Sequence, residues 1–191
     1  PASLTMAVAV NLFRTVAKEG FSPEVIATKL NDTMSANNEN AVFVTMFIGI
    51  IDLKTGNLDY CNCGHNSPVY GERRMLTSQT VFRFLDVESN VAIGLWPNYT
   101  FVGGHLDDIR GNTLFVYTDG VNEAENRMQE QFGEKRMLRV LRESTQPFGE
   151  RTPKTRSHFL IDEMKCALDA FVDGAEQSEA KIGRASCRER V

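Results

Sequence analysis

The residues best suited to chemistry lie in Leu114-Phe115-Val116-Tyr117-Thr118-Asp119-Gly120, followed by Val121-Asn122-Glu123-Ala124. Apolar, β-branched and aromatic residues run up to a carboxylate, as in a strand of a covered sheet ending at Asp119. A carboxylate held there has rigid backbone behind it, and Gly120 leaves room in front for a ligand or a second loop. An anionic oxygen so fixed suits a hard metal cation. The plainer reading is an Asp-Gly turn that only reverses the chain. Glu123, four residues on, is placed to orient a cation-bound water or to anchor the loop by a hydrogen bond. A second stretch, Asn62-Cys63-Gly64-His65-Asn66-Ser67-Pro68, offers His65, whose imidazole titrates near neutrality and can protonate a leaving oxygen. The alternative for His65 is structural, tying its turn to nearby backbone. Asp107-Asp108 reads as a solvated hairpin turn ahead of Ile109-Arg110-Gly111-Asn112, not as a metal-binding pair. Cys61 and Cys63 alternate on one strand and share a face. No second cysteine pair or His-x-His completes a zinc site, so buried thiols fit better.

The order of elements that must hold these residues is helices, strands, then helices. Residues 3–18 are apolar on most faces, which predicts a largely buried helix ended by Gly20. Ser22-Pro23-Glu24 opens the next helix with a capping hydroxyl, a first-turn proline and an acid at the positive dipole end. Its stripe is Ile26, Leu30 and Met34, and Asn37-Asn38 closes it. Residues 42–51 are nearly all apolar, which predicts a strand covered on both faces, with Thr45 satisfied on nearby backbone. Lys54-Thr55-Gly56-Asn57 turns it into an alternating partner at residues 58–63. Shorter strands are predicted at 68–70, 80–85, 99–106 and 113–118. Helical periodicity returns at 134–143, and Thr152-Pro153 opens a last helix with stripe Leu160, Met164, Leu168 and Phe171, capped at Gly174. Strands grouped between helices argue for an α+β fold rather than a doubly wound sheet.

The last eleven residues, Lys181–Val191, have no apolar periodicity and look like the translation of a sequencing-library adapter. They hold four basic residues and one acidic, so residues 1–180 carry 17 Lys+Arg against 24 Asp+Glu and a formal charge of −7 instead of −4. So acidic a domain argues against nucleic acid as a partner. About 180 residues suit one domain with a sizeable core, and no apolar run approaches the roughly 20 residues of a membrane span.

The two stretches, together with Phe43 to Asp52, Thr55-Gly56-Asn57-Leu58-Asp59-Tyr60 and Gln131-Phe132-Gly133-Glu134-Lys135-Arg136-Met137, occur in a distinctive order. In that order residues 1–178 resemble the bacterial SpoIIE/RsbU-type branch of the protein phosphatase 2C-like (PPM) serine/threonine phosphatases. The resemblance implies an α-β-β-α sandwich of two antiparallel sheets flanked by helices. It also implies two divalent cations, Mn²⁺ or Mg²⁺, with Asp119 as a ligand and Gly120 beside it, and Glu123 and His65 as further catalytic candidates. A metal-bound hydroxide, rather than a protein nucleophile, would attack phosphoserine. The family's pattern places an Asp-bearing glycine-rich loop ahead of Pro1-Ala2-Ser3-Leu4 and an Asp-Asp-x-Thr strand near residue 178. Neither is in the sequence, which leads us to expect a partial PPM domain over residues 1–180, incomplete at both ends and inactive by itself, followed by a non-native tail over 181–191. Relatives of this branch act on a phosphorylated STAS-domain protein in sigma-factor control. They serve as output modules behind sensor, PAS, HAMP or response-regulator segments, in the cytoplasm and in some cases tethered to a membrane. In this reading upstream signals would impinge on the two N-terminal helices. Two rival readings are a phosphatase-shaped binding module that captures a phosphoprotein without hydrolysing it, and a small-molecule sensor with a fortuitous Thr-Asp-Gly turn.

Overall fold

The structure is a computed structural model that describes residues 2–36, 38, 42–74, 79–144 and 153–175. The closing Asn37, the helix-opening Thr152 and the tail at 181–191 lie outside the described residues. Two compact units share the chain: Pro1–Ser67 with Asp86–Arg110, and Pro68–Leu85 with Gly111–Val191.

In the first unit, α1 (Ala2–Val16) runs into a 3-10 turn (Ala17–Glu19) and stops at Gly20, whose φ of 75° is left-handed. Helix α2 (Pro23–Ser35) begins at the predicted Ser22-Pro23-Glu24 signal, but Ser22, extended at the N-cap position, caps no backbone N–H and its hydroxyl donates to Glu24 Oε1 at 2.5 Å instead. Strands β1 (Met46–Ile51) and β2 (Leu58–Cys63) form an antiparallel hairpin around Gly56, and β5 (Gly104–Leu106) pairs along the other edge of β2. The turn is held by Asp52 Oδ1, which accepts the Lys54 N–H at 2.8 Å. Helix α2 packs on this sheet, and its Ile26 and Leu30 meet Ile48, Cys61, Cys63, Ile93 and Phe101 in one core. Each such fully buried aliphatic or aromatic side chain contributes about 1.5–3 kcal/mol.

Two expectations are corrected here. Strand β1 is not covered on both faces: Ile48 is buried, but Ile50 and Ile51 are 41% and 47% exposed. Neither joins the core that α2 closes over Ile48. Apolar composition leads to burial only where something covers it. Helix α1 likewise buries one narrow face, with Ala9 and Val16 inside and Met6 and Val8 more than half exposed.

Strand length was also overread. The predicted 42–51 strand pairs from Met46, with Val44 making a single bridge to Ile93. Of residues 99–106 only the last three form a strand. The preceding stretch is held by a side chain instead, since Asn90 Oδ1 accepts the Val102 N–H at 2.9 Å and Asn90 Nδ2 donates to Val102 O at 2.8 Å. Asn31, fully buried on α2, pins the adjoining loop by accepting the Gly94 N–H and donating to Trp96 O, each at 2.9 Å.

In the second unit, β3 (Val69–Arg73) lies between β4 (Thr80–Phe84) and β6 (Thr113–Phe115), all antiparallel. A one-turn helix α3 (Asp119–Asn122) follows, then α4 (Gly133–Glu143) and α5 (Pro153–Val172). Gly71 sits opposite Phe82 in the ladder, and a Cβ there would lie 2.5 Å from the buried Phe82 ring. The first unit repeats the device, with the Tyr60 ring lying over Gly104 across the β2–β5 pair. Phe82, Val69 and Tyr117 pack against Phe132, Met137 and Leu141, and α5 brings in Leu160 and Met164 from its predicted stripe. Gly174, at φ 71°, sits just past the last helix as predicted.

Candidate functional site

Strand β6 ends at Phe115, two residues before the tyrosine that anchors the segment. Tyr117 is 2% exposed, and burial, reinforced by Glu134, pushes its phenol up to about 12. Thr118 is extended (φ −97°, ψ 165°), and Asp119 opens α3 with its side chain exposed. The carboxylate thus stands at a helix start, not on the strand end the sequence suggested. Residues 116–118 leave the ladder because Thr118-Asp119 is as good a helix opening as a strand ending. Gly120 lies within this turn, and Glu123 ends it, its N–H donating to Asp119 O at 2.9 Å. Two side-chain oxygens of the same turn, Thr118 Oγ1 and Asn122 Oδ1, are buried with no hydrogen-bond partner. The sequence reading passed over both. Their spacing gives no signal, since Thr118 is extended and lies outside the four-residue helix.

His65 belongs to the other unit, on a turn that follows β2. Gly64 makes that turn possible: it is left-handed (φ 65°), and a Cβ on it would meet the Ala92 backbone nitrogen at 2.9 Å. Asn62 Nδ2 donates to His65 O at 2.8 Å, and His65 Nδ1 lies 3.5 Å from Thr45 Oγ1. Thr45 therefore meets a side chain, whereas nearby backbone was expected. Asn62 Oδ1 and Asn66 Nδ2 are buried in this turn without partners.

The remaining titratable groups do other work. Cys61 and Cys63 are buried with sulfurs 3.8 Å apart. The shared hydrogen bond, then burial, drives the Cys63 thiol up, while the same bond lowers Cys61. Asp107 and Asp108 are exposed: Asp108 pairs with Arg110 and is lowered by it, and Asp107 contacts His105 Nε2 at 3.1 Å. His105 also meets Asp59, its cross-strand partner, through Nδ1 at 2.6 Å. These bonds, Asp59 first, hold the imidazole above its ordinary value. This bracket escaped the sequence reading because it needs the β2–β5 register.

A family model, Stage II sporulation protein E (SpoIIE), matches residues 1–168. The chain belongs to the SpoIIE family. Protein IcfG of Synechocystis sp. is 34% identical over 148 residues, which is 77% of this chain and 21% of that protein. The solved RsbU and RsbW domains of Rv1364c from Mycobacterium tuberculosis superpose with a TM-score of 0.67 at 17% identity, over 91% of this chain and 44% of that one. The PP2C phosphatase domain of SpoIIE from Bacillus subtilis, with a fragment of its regulatory domain, gives 0.61 at 17%, over 87% and 46%. The resemblance read from the sequence therefore holds, and so does the α+β fold of two antiparallel sheets with flanking helices. The chain spans about a fifth of its curated relative and under half of each of these solved structures.

The family's fold implies divalent cations, and the turn at 118–122 offers one exposed oxygen donor, the Asp119 carboxylate. That donor chemistry fits a hard ion such as Mg²⁺ or Mn²⁺ and not a thiophilic one. Among the described residues no three His, Cys, Asp or Glu side chains gather as a metal-binding group.

Proposed function

We propose that this SpoIIE-family module belongs to a metal-dependent protein serine/threonine phosphatase that hydrolyses phosphoserine on a small STAS-domain protein in sigma-factor control. The observation that carries the reading is the exposed Asp119 at the opening of α3, in a chain whose first 168 residues match the family. Hydrolysis of a phosphate monoester demands large stabilisation of developing charge, and divalent ions supply it together with an activated water. On this reading Asp119 holds an ion and the Gly120 backbone lets the phosphate come close. Glu123 orients water. The full-length protein contributes further carboxylates, and sensor, PAS, HAMP or response-regulator segments set its activity through α1 and α2. No described helix is long and apolar enough to cross a membrane; we place the module in the cytoplasm, with any tether elsewhere in the parent protein.

The test is phosphate release from a phosphoserine protein by the full-length enzyme with and without Mn²⁺. Asp119→Asn lowers the rate by at least about 100-fold, since losing a ligand costs more than losing an outer-shell partner. Turnover equal to the wild type in that variant would overturn the assignment. One observation favours a second reading, a binding module that captures a phosphoprotein intact: the described residues gather no metal-binding cluster. Stoichiometric retention of the phosphoprotein, with Mn²⁺ present and no phosphate released, would select it.

A further inference from the structure

Helix α4 carries a basic face on an acidic chain. Lys135, Arg136, Arg139 and Arg142 fall in a stretch, 135–142, that holds no acid, while residues 1–180 carry a formal charge of −7. Lys135, Arg139 and Arg142 follow the spacing i, i+4, i+7 and are exposed, so they line one stripe of the helix. Met137 and Leu141, on the opposite side, are buried in the core. The stripe does nothing for the helix itself, because like charges three and four residues apart repel. Arg136 has other work: it donates to Gln131 O and Phe132 O and lies 4.8 Å over the Phe171 ring. Among the described residues neither Lys135 nor Arg139 forms an ion pair, and Glu143, four residues past Arg139, stays beyond that distance. Helix α3, which Asp119 opens, packs against α4. Glu134, in the first turn of α4, is close enough to Tyr117 to reinforce the rise of its phenol. At the far end Arg142 Nη2 donates to Phe82 O on β4 at 3.4 Å. The basic stripe thus leads from the neighbourhood of the Asp119 turn to the edge of the sheet.

We propose that the stripe of Lys135, Arg139 and Arg142 docks a short acidic segment of the phosphoserine protein whose phosphate is presented at Asp119. The inference rests on the phosphatase reading above. From Lys135 to Arg142 the stripe is about 10 Å long at 1.5 Å per residue, the reach of about three residues of extended chain. Glu134 and Glu143 bound it at either end and repel a longer acidic run. A bilayer is a poorer match, since a helix lying on lipid needs an exposed apolar face, and that of α4 is buried in the core. Nucleic acid extends its charge past the stripe and meets the acidic remainder of the chain. Exposed charge pairs steer association and fix register, so they act on KM for a protein substrate and leave the chemical step alone.

The test is Mn²⁺-dependent phosphate release by the full-length protein from two synthetic phosphoserine peptides, one flanked on both sides by glutamate runs and the other by glutamine runs. Para-nitrophenyl phosphate serves as a substrate too small to reach α4. The wild type turns over the glutamate peptide with a kcat/KM about 5-fold higher, through KM, as a few exposed pairs allow. That preference shrinks between about 50 and 300 mM NaCl. Lys135→Glu combined with Arg139→Glu reverses it and leaves hydrolysis of para-nitrophenyl phosphate unchanged, which also shows that the variant folds. Equal turnover of both peptides by the wild type, or a preference that survives the double substitution, overturns the docking assignment and spares the phosphatase reading. Retention on phosphatidylserine vesicles that the substitutions abolish, with both peptides turned over alike, overturns it in favour of a lipid surface. No Mn²⁺-dependent release from any of these substrates overturns both. If the double variant does not fold, the peptide preference of Arg139→Gln decides.

Discussion

Asp119, the residue with most at stake, was legible as an acid in a special place, whereas its local setting was not. The sequence placed it on a strand end because the four residues from Leu114 to Tyr117 are β-formers, and such a run does not announce where its hydrogen-bonded ladder stops. Its neighbours Thr118 and Asn122 have buried, unpartnered oxygens that only the fold reveals. His105 shows the same limit. Its bracket by Asp59 and Asp107 is a matter of register, and it carries a pH prediction. The folded imidazole is held above its ordinary value, so this contribution to stability is complete below the unfolded value of about 6.5 and fades as pH rises through the raised folded one. An NMR titration of His105 gives a midpoint above 6.5, and His105→Gln removes part of the loss of thermal midpoint between about pH 6 and 8. A His105 midpoint at or below the ordinary value would refute the bracket. Both His105 and Asp59 are about half exposed, so the effect is small.

At the scale of elements, helices with explicit start and stop chemistry were the most readable. Ser22-Pro23-Glu24 marked the start of α2, and the Leu160 and Met164 stripe marked the buried side of α5. Strands were readable in existence and less so in extent, because a side chain can replace a strand partner. Asn90 does this for Val102, and nothing in a lone asparagine forecasts it. Short α3 was hidden by a dipeptide that serves equally in a turn. Glycines opposite aromatics are the least visible device and the easiest to test. Gly71→Ala forces a methyl group into the buried Phe82 ring. Overpacking of that kind costs about 1–3 kcal/mol, readable as a lower denaturant midpoint with unchanged slope. A midpoint equal to the wild type would mean that β3 and β4 adjust their pairing without strain.

The molecule as a whole hides its organisation from any reading that proceeds in one direction along the chain. Its length of about 180 residues suggested one domain with a sizeable core, and the structure draws two cores from alternating segments. The first takes Ile26 and Ile48 from the front of the chain and Ile93 and Phe101 from after the β3–β4 hairpin. A fragment ending at residue 85 therefore lacks Ile93 and Phe101 from that core and strand β5 from its sheet. It should give helical circular dichroism from α1 and α2 at most, with no cooperative melt. A sharp two-state transition in that fragment would show that the first core closes without Ile93 and Phe101.

This interleaving bears on the order of events at the ribosome. The hairpin of β3 and β4 is made before β6, α4 and α5, the elements that cover Phe82 and Val69. At about 5–20 residues per second, the nascent chain carries that sticky ribbon uncovered for several seconds. Nascent-chain chaperones have a natural foothold in that interval.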